Sequence, residues 1–441
     1  MGSRVKLTAR QVAEMTGGEL HGPDVIVDGA AIDSRVLQPG ALFVPIVARR
    51  DGHDFIDAAL AAGAAAYLTA REPRSGAAVV VTDTSAALAR LGGWARGQLA
   101  GPVVGITGSA GKTSTKDMLG AVLRPEMPTA VSERSFNNEL GVPLTLVNAD
   151  DGTRAAVLEM GARGFGHIAW LCQLARPDIG VVTNVASAHT EMFGDLDGVA
   201  RAKGELVIAL PKNGTAVLNA MDERVMLMAS KSAAPVLTFG VEVGTVRAVH
   251  PVLDEDLHAS FRLESPWGSG QVHLEARGRH QASNAAAAAA AALAIGVPFD
   301  HVVARLESAP LSPWRMEVTR LPSGALLIND VYNANPASMI AALEALGAAP
   351  AKRKIAVVGP MLELGSVSEE AHRAVTLHAN RLRIRLIAVD APSYGAEDAA
   401  SIDDAVALLG AVGDGDAVLV KASRAAGLER LAVRLAEGGA W

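Results

Sequence analysis

Val103-Val104-Gly105-Ile106-Thr107-Gly108-Ser109-Ala110-Gly111-Lys112-Thr113, continued by residues 114–123, is the stretch that decides the fold. Its first five residues are mostly apolar or β-branched and read as a buried strand. Residues 114–123 read as a helix, and the glycines between them mark a tight turn. Such a turn has a specific chemistry. Glycine lets the backbone curl so that several N–H groups face one anion, and the helix start adds partial positive charge. In that frame Gly108, Ser109, Ala110, Gly111 and Ser114 wrap nucleotide phosphates. Lys112 reaches the terminal phosphates, and the Thr113 hydroxyl ligates Mg²⁺. The full phosphate-loop pattern needs a glycine at position 106, where Ile106 stands. What remains is a shorter Gly-x-x-Gly-Lys-Thr form, which by itself also fits a glycine-rich turn with a solvated lysine. The strand before it and the helix after it favour the phosphate reading.

Outward from the loop the same rhythm continues. Apolar runs at 155–158, 179–183 and 215–218 alternate with helix-like stretches, and 284–295 reads as an alanine-rich helix stopped by Gly296. Strands of this kind, buried on both faces and separated by helices, predict a parallel, helix-flanked sheet. Gly101-Pro102 breaks the pattern on one side, and Ala309-Pro310-Leu311-Ser312-Pro313 breaks it on the other. Before the first break, Thr8 can cap a helix through Met15, and further helical and apolar runs follow at 55–62 and 64–69. Beyond the second break, apolar runs return at 325–328, 354–358, 386–389 and 417–420. The expected architecture is α/β in three domains: 1–100, 101–310 and 311–441.

The 441 residues are half hydrophobic and one-fifth charged, enough for each domain to bury a core. A net charge of −7 argues against a nucleic-acid partner. Cys172, the single cysteine, can form no internal disulfide. The start, Met1 to Lys6, lacks an apolar signal core, and no stretch is long enough to span a bilayer. A cytoplasmic monomer with no membrane insertion is expected.

Three downstream residues are candidates for chemistry. Glu159 closes the 155–158 run, at the carboxyl end of a strand, where ligands sit in open α/β sheets and where a carboxylate can hold Mg²⁺. An exposed edge carboxylate would look the same. His189 follows the 179–183 run in an equivalent place, although a lone histidine is more often packed or solvated. Lys203, in Arg201-Ala202-Lys203-Gly204-Glu205, reads from its own context as a surface lysine.

Taken together these strings carry a likeness. Gly108 to Thr113, Phe136-Asn137-Asn138-Glu139-Leu140-Gly141-Val142-Pro143, Leu158-Glu159-Met160-Gly161, Ala188-His189-Thr190-Glu191-Met192-Phe193-Gly194 and Ala202-Lys203-Gly204-Glu205 resemble the Mur ligases of peptidoglycan synthesis. So do Gly278-Arg279-His280 with Asn284, Tyr332-Asn333-Ala334-Asn335-Pro336 and Met361-Leu362-Glu363-Leu364-Gly365. The likeness spans nearly the whole chain. Its last two strings are the most specific and point to the members that add a D-alanyl-D-alanine dipeptide.

The resemblance implies a small N-terminal UDP-binding domain, a central ATPase domain and a C-terminal Rossmann-like domain that takes the dipeptide. It implies a carbon–nitrogen ligase whose substrates are ATP, UDP-N-acetylmuramoyl-tripeptide and D-alanyl-D-alanine, with an acyl-phosphate intermediate. By the same resemblance Lys112, His189 and Lys203 are catalytic. Thr113 and Glu159 hold one Mg²⁺; His189 and a carbamylated Lys203 hold a second. Asn284 contacts adenine, Arg315 and Asp330 close over ATP, and Ser34, Arg35, Asn137 and Asn138 bind the UDP substrate. Departures from the family pattern occur at Ala110, around Asp330 (Asn329 and Val331) and at Pro360. Two alternatives stay open. One is another amino-acid ligase of the family, such as the one that adds the third residue, although its usual Asp-Asn-Pro-Arg string is missing here. The other is a non-catalytic nucleotide-binding switch.

Overall fold

The computed structural model describes residues 6–133, 135–187 and 190–437. Three larger sheets, each with its own buried apolar cluster, succeed one another along the chain, and Lys6–Thr8 pairs antiparallel with Ile26–Asp28 in a fourth, two-stranded one.

The first sheet has five short strands in the order Glu19–His21, Ala77–Val80, Ala66–Thr69, Leu42–Phe43 and Ala30–Ala31. All its pairings are parallel except that between Glu19–His21 and Ala77–Val80. The helix Ala9–Thr16 starts where Thr8 and Gln11 form a reciprocal capping box and stops at a left-handed Gly17.

The central sheet has nine strands. From one edge they run Thr129–Val131, Ala155–Glu159, Val103–Thr107, Ile179–Val182, Thr215–Asn219, Val236–Val241 and Val246–Leu253, all parallel. Val103–Thr107 and Ala155–Glu159 are buried at every residue, which is why they read as unbroken apolar runs. Two strands that the apolar runs do not reveal, His258–Ser265 and Gly268–Arg277, extend the sheet in antiparallel sense. They alternate buried and solvent-facing residues and add an antiparallel edge to the parallel sheet expected from the apolar runs. The helix Gln281–Ile295 lies under the sheet against the phosphate-loop helix Lys112–Leu123, with Ala285 to Ala292 fully enclosed.

The third sheet orders six strands as Glu317–Arg320, Leu326–Asn329, Asp416–Lys421, Arg353–Val358, Arg385–Val389 and Glu397–Ala399. It is parallel except at the first pair. The carboxyl end of its strand Leu326–Asn329 leads into the segment that meets the phosphate loop.

Candidate functional site

Gly108 and Gly111 take φ of +150° and +82°, conformations that favour glycine and that bend the chain from strand to helix. The neighbouring strand end braces this bend. Thr183 donates its hydroxyl hydrogen to the Ala110 carbonyl at 2.6 Å. The Asn184 side-chain oxygen accepts from the amides of Ser109 and Ala110 at 3.1 and 2.9 Å. Those two amides are therefore engaged within the protein. The amides left to meet a phosphate are those at the helix start, from Gly111 onward, which have no partner inside a helix. Asn184 went unnoticed in the sequence because nothing local marks a brace supplied from another strand.

Thr113 donates to Glu159 Oε2 at 2.7 Å, and Asn137 donates through Nδ2 to Glu159 Oε1 at 2.9 Å. Glu159 is 1% exposed, so both its oxygens are held by neutral partners away from water. This buried set of oxygens suits a hard cation such as Mg²⁺, which takes few protein oxygens and completes its shell with water and phosphate. Among the described residues no three His, Cys, Asp or Glu side chains form a metal-binding group.

Lys112 donates to the carbonyl of Gly108 at 2.8 Å. Burial lowers its pKa; Glu159 opposes that shift, while Arg315 adds to it. Lys203, which its sequence context alone would put on the surface, is 3% exposed on the helix Leu196–Ile208. Burial, and secondarily the charge of Lys112, brings its pKa down to about 7.

The third sheet contributes to the same place. Arg315 donates through Nη2 to Thr113 Oγ1 at 2.7 Å, and its guanidinium carbon stands 4.3 Å from the Tyr332 ring centroid. Its neighbours Trp314 and Met316 both have left-handed backbones, φ +61° and +54°, a strained arrangement of the kind kept at working sites. Asp330 does not stand free to meet a ligand. It pairs with Lys421 at 2.6 Å and accepts from the Met316 amide at 3.2 Å, so it fixes the segment that carries Arg315. Asn335 caps the helix Pro336–Ala348 and also donates to the Ser109 carbonyl at 3.1 Å. Tyr332 and Ser135 join hydroxyls across the same gap.

Two cavities open around these groups. The larger, about 510 Å³, is lined by the phosphate loop, Glu159, Asn284, Arg315 and Asp330. Asn284 donates to Gln281 at 2.8 Å, and its side-chain oxygen lies so close to Gly111 that a methyl group there would not fit. The smaller, about 220 Å³, is lined by residues including Asn138, Arg163, Lys203 and Glu363. Lys112 and Asn137 line both.

The four residues expected at the UDP substrate are divided. Asn137 sits on Glu159. Asn138 accepts from the amides of Leu140 and Gly141 near the start of the helix Gly141–Val147. Ser34 and Arg35 line neither cavity, and Arg35 lies on a surface turn with its guanidinium bonded to Asp33 at 2.6 Å. His189 lies outside the described residues. No helix among the described residues is long and apolar enough to cross a membrane.

Comparison with known proteins agrees with the likeness read in the strings. The family description "Mur ligase middle domain" matches residues 106–292, and "Mur ligase, glutamate ligase domain" matches residues 314–440. A UDP-N-acetylmuramoyl-tripeptide–D-alanyl-D-alanine ligase of Escherichia coli is 37% identical over 454 residues, covering 99% of each chain. The ligase of that name from Mycobacterium tuberculosis is 38% identical over 498 residues, covering 97% of each. The crystal structure of MurF from Acinetobacter baumannii superposes with a TM-score of 0.89 at 31% identity, covering 99% of this chain and all of that one. The MurF ligase of Thermotoga maritima, solved in complex with ADP, gives 0.80 at 30% identity, covering 93% and 97%.

Proposed function

Because the chain belongs to the Mur ligase family, we propose that it is an ATP-dependent ligase that joins D-alanyl-D-alanine to UDP-N-acetylmuramoyl-tripeptide in peptidoglycan synthesis. The observation that carries this reading is the wall shared by the two cavities. With Lys112 and Asn137 facing both, a triphosphate in the larger cavity and a carboxylate in the smaller one would meet at Lys112.

A carboxylate has no adequate leaving group, and ATP supplies one. The γ-phosphoryl group passes to the terminal carboxylate of the tripeptide, and ADP departs. The dipeptide amine attacks the acyl phosphate, and phosphate departs. Lys112 neutralises charge on the transferring group, the helix-start amides hold the phosphates, and Asn137 with Thr113 keeps Glu159 oriented. Arg315 and Asn335, reaching across from the third sheet, exclude water from an intermediate that would otherwise hydrolyse. Thr113 and Glu159 would hold Mg²⁺, which when bound offsets phosphate charge.

Four finer assignments belong to the same proposal. Asn284 serves the adenine, and Asp330 acts through Arg315. Ser34 and Arg35 take the uracil and pyrophosphate of the substrate, Arg35 exchanging Asp33 for phosphate oxygens. Lys203 would be carbamylated and, with His189, would hold a second Mg²⁺. Carbamylation needs an uncharged amine, and a pKa brought down to about 7 provides one near neutrality. The modified chain is expected to gain the mass of one carbon dioxide at Lys203 in bicarbonate and lose it when bicarbonate is removed. An unchanged mass and an activity indifferent to bicarbonate would leave Lys203 a neutral amine and remove the second ion.

The whole reading is tested by incubating ATP with each UDP-N-acetylmuramoyl-peptide, with and without D-alanyl-D-alanine, and weighing the products. A UDP-N-acetylmuramoyl-pentapeptide is expected only from the tripeptide with the dipeptide. Nucleotide binding without turnover would instead favour a switch, and extension of a shorter peptide by one residue would favour another ligase of the family.

A further inference from the structure

The string Met361-Leu362-Glu363-Leu364-Gly365 has no part in the phosphate chemistry above, yet the third sheet presents it to the smaller cavity. It follows the carboxyl end of the strand Arg353–Val358. Its two outer apolar members, Met361 and Leu364, are buried in the core of that sheet. Backbone bonds pin the turn from both sides. The Met361 amide donates to His372 Nε2 at 3.0 Å and the Leu362 amide to Ser423 Oγ at 3.0 Å. From the central part, Thr190 donates its hydroxyl hydrogen to the Leu364 carbonyl at 2.8 Å. Between these anchors Glu363 takes φ +64°, a left-handed backbone that a side chain of its length rarely adopts. A strained carboxylate-bearing residue held by anchors from two domains, beside Lys112 and Lys203, is an arrangement that calls for a function.

The charges of the cavity indicate which one. Lys112, Arg163 and Lys203 line it, and Glu363 is the only acidic group among its described lining residues. The nucleophile of the proposed reaction reaches the protein as an ammonium ion at neutral pH. The cations Lys112 and Arg163 would repel it, and one carboxylate beside them gives it a seat.

We infer that Glu363 forms the amine subsite, binding the incoming dipeptide through its ammonium group and accepting a proton from it; this rests on the ligase reading above. The Glu363 carboxylate accepts hydrogen bonds from the ammonium and then one of its protons. The freed lone pair forms the C–N bond to the acyl carbon. The C–O bond to phosphate breaks, and its electron pair leaves with the phosphate, which also takes the second proton from nitrogen to leave the amide. Glu363 returns its proton to water.

The test separates the two half-reactions in the full chain. Acyl phosphate made from ATP and UDP-N-acetylmuramoyl-tripeptide without dipeptide is trapped by hydroxylamine as a hydroxamate. Glu363→Gln is expected to make hydroxamate within about twofold of the wild-type rate, while its KM for D-alanyl-D-alanine rises about tenfold or more. Its kcat/KM for the dipeptide should also shift to higher pH, because the variant depends on amine already deprotonated in solution. Glu363→Asp, which keeps the carboxylate, should recover part of the loss. An unchanged dipeptide KM with normal hydroxamate would overturn the assignment, as would loss of hydroxamate in the variant alone. Absence of hydroxamate from the wild-type protein would instead sink the ligase reading on which the assignment stands.

Discussion

Lys112→Ala is expected to lower kcat by about a thousandfold or more while the protein stays folded. The ammonium group is held over the loop by the Gly108 carbonyl and lies within the electrostatic reach of Glu159, Arg315 and Lys203. Removing it takes away the one side-chain cation, among the described residues, that lines both cavities. It also changes a neighbour. The low pKa of Lys203 comes first from burial and second from the charge of Lys112, so the variant lets the Lys203 pKa rise. Lys203 would then hold its proton to a higher pH, although burial still lowers its pKa, and carbamylation would become harder. Phosphate release with both substrates present, measured beside a circular dichroism spectrum, checks the expectation. A variant that turns over within tenfold of the wild type would remove Lys112 from phosphoryl transfer.

Gly108→Ala is expected to be nearly as damaging by a different route. At φ +150° the residue sits in a region open in practice to glycine alone, and a β-carbon there would run into the Thr183 hydroxyl. That hydroxyl holds the Ala110 carbonyl, so relieving the collision releases the loop. Backbone strain of this kind costs about 1–3 kcal/mol, which, if it falls on nucleotide binding, corresponds to a rise in the ATP KM of roughly fivefold to 150-fold. A nucleotide titration measures it. In Gly108→Ala/Thr183→Ala the clash with the hydroxyl is gone, but the strain stays and the brace on Ala110 is lost, so affinity should stay well below the wild-type value. Full ATP affinity in the single variant would mean that the loop does not need its present curvature.

The sequence made the phosphate loop legible because strand, turn and helix follow one another within 21 residues, from Val103 to Leu123. Glu159 was legible for a related reason: it ends an apolar run, and strand ends are where open sheets bind ligands. The helix over the alanines and the four parallel strands at 103–107, 155–158, 179–183 and 215–218 could be read from unbroken apolar runs; Thr129–Val131, Val236–Val241 and Val246–Leu253 could not. Other features leave no local signature. Asn184 braces the loop from another strand, and Arg315 and Asn335 bond to Thr113 and Ser109 across about 200 residues or more. Such pairs have no spacing rule, since only the folded sheet ends bring them together. The antiparallel strands His258–Ser265 and Gly268–Arg277 escaped notice because half their residues face water and break the apolar run. Lys203 is the converse case: nothing in its context suggested burial, and the family likeness alone singled it out.

The hydrogen bond from Arg315 to Thr113 spans the third and central sheets, so a ligand that takes the Thr113 hydroxyl competes with a guanidinium for it. A newcomer that wants the Thr113 hydroxyl has to evict the guanidinium before it can settle. Binding therefore trades one set of contacts for another, so its measured heat is a difference that understates how tightly the occupied state is held. An occupant that offers an anion to the displaced guanidinium repays the eviction; one without such a group leaves a cation stranded. The Arg315–Thr113 contact thereby favours a ligand with an anionic tail over one without.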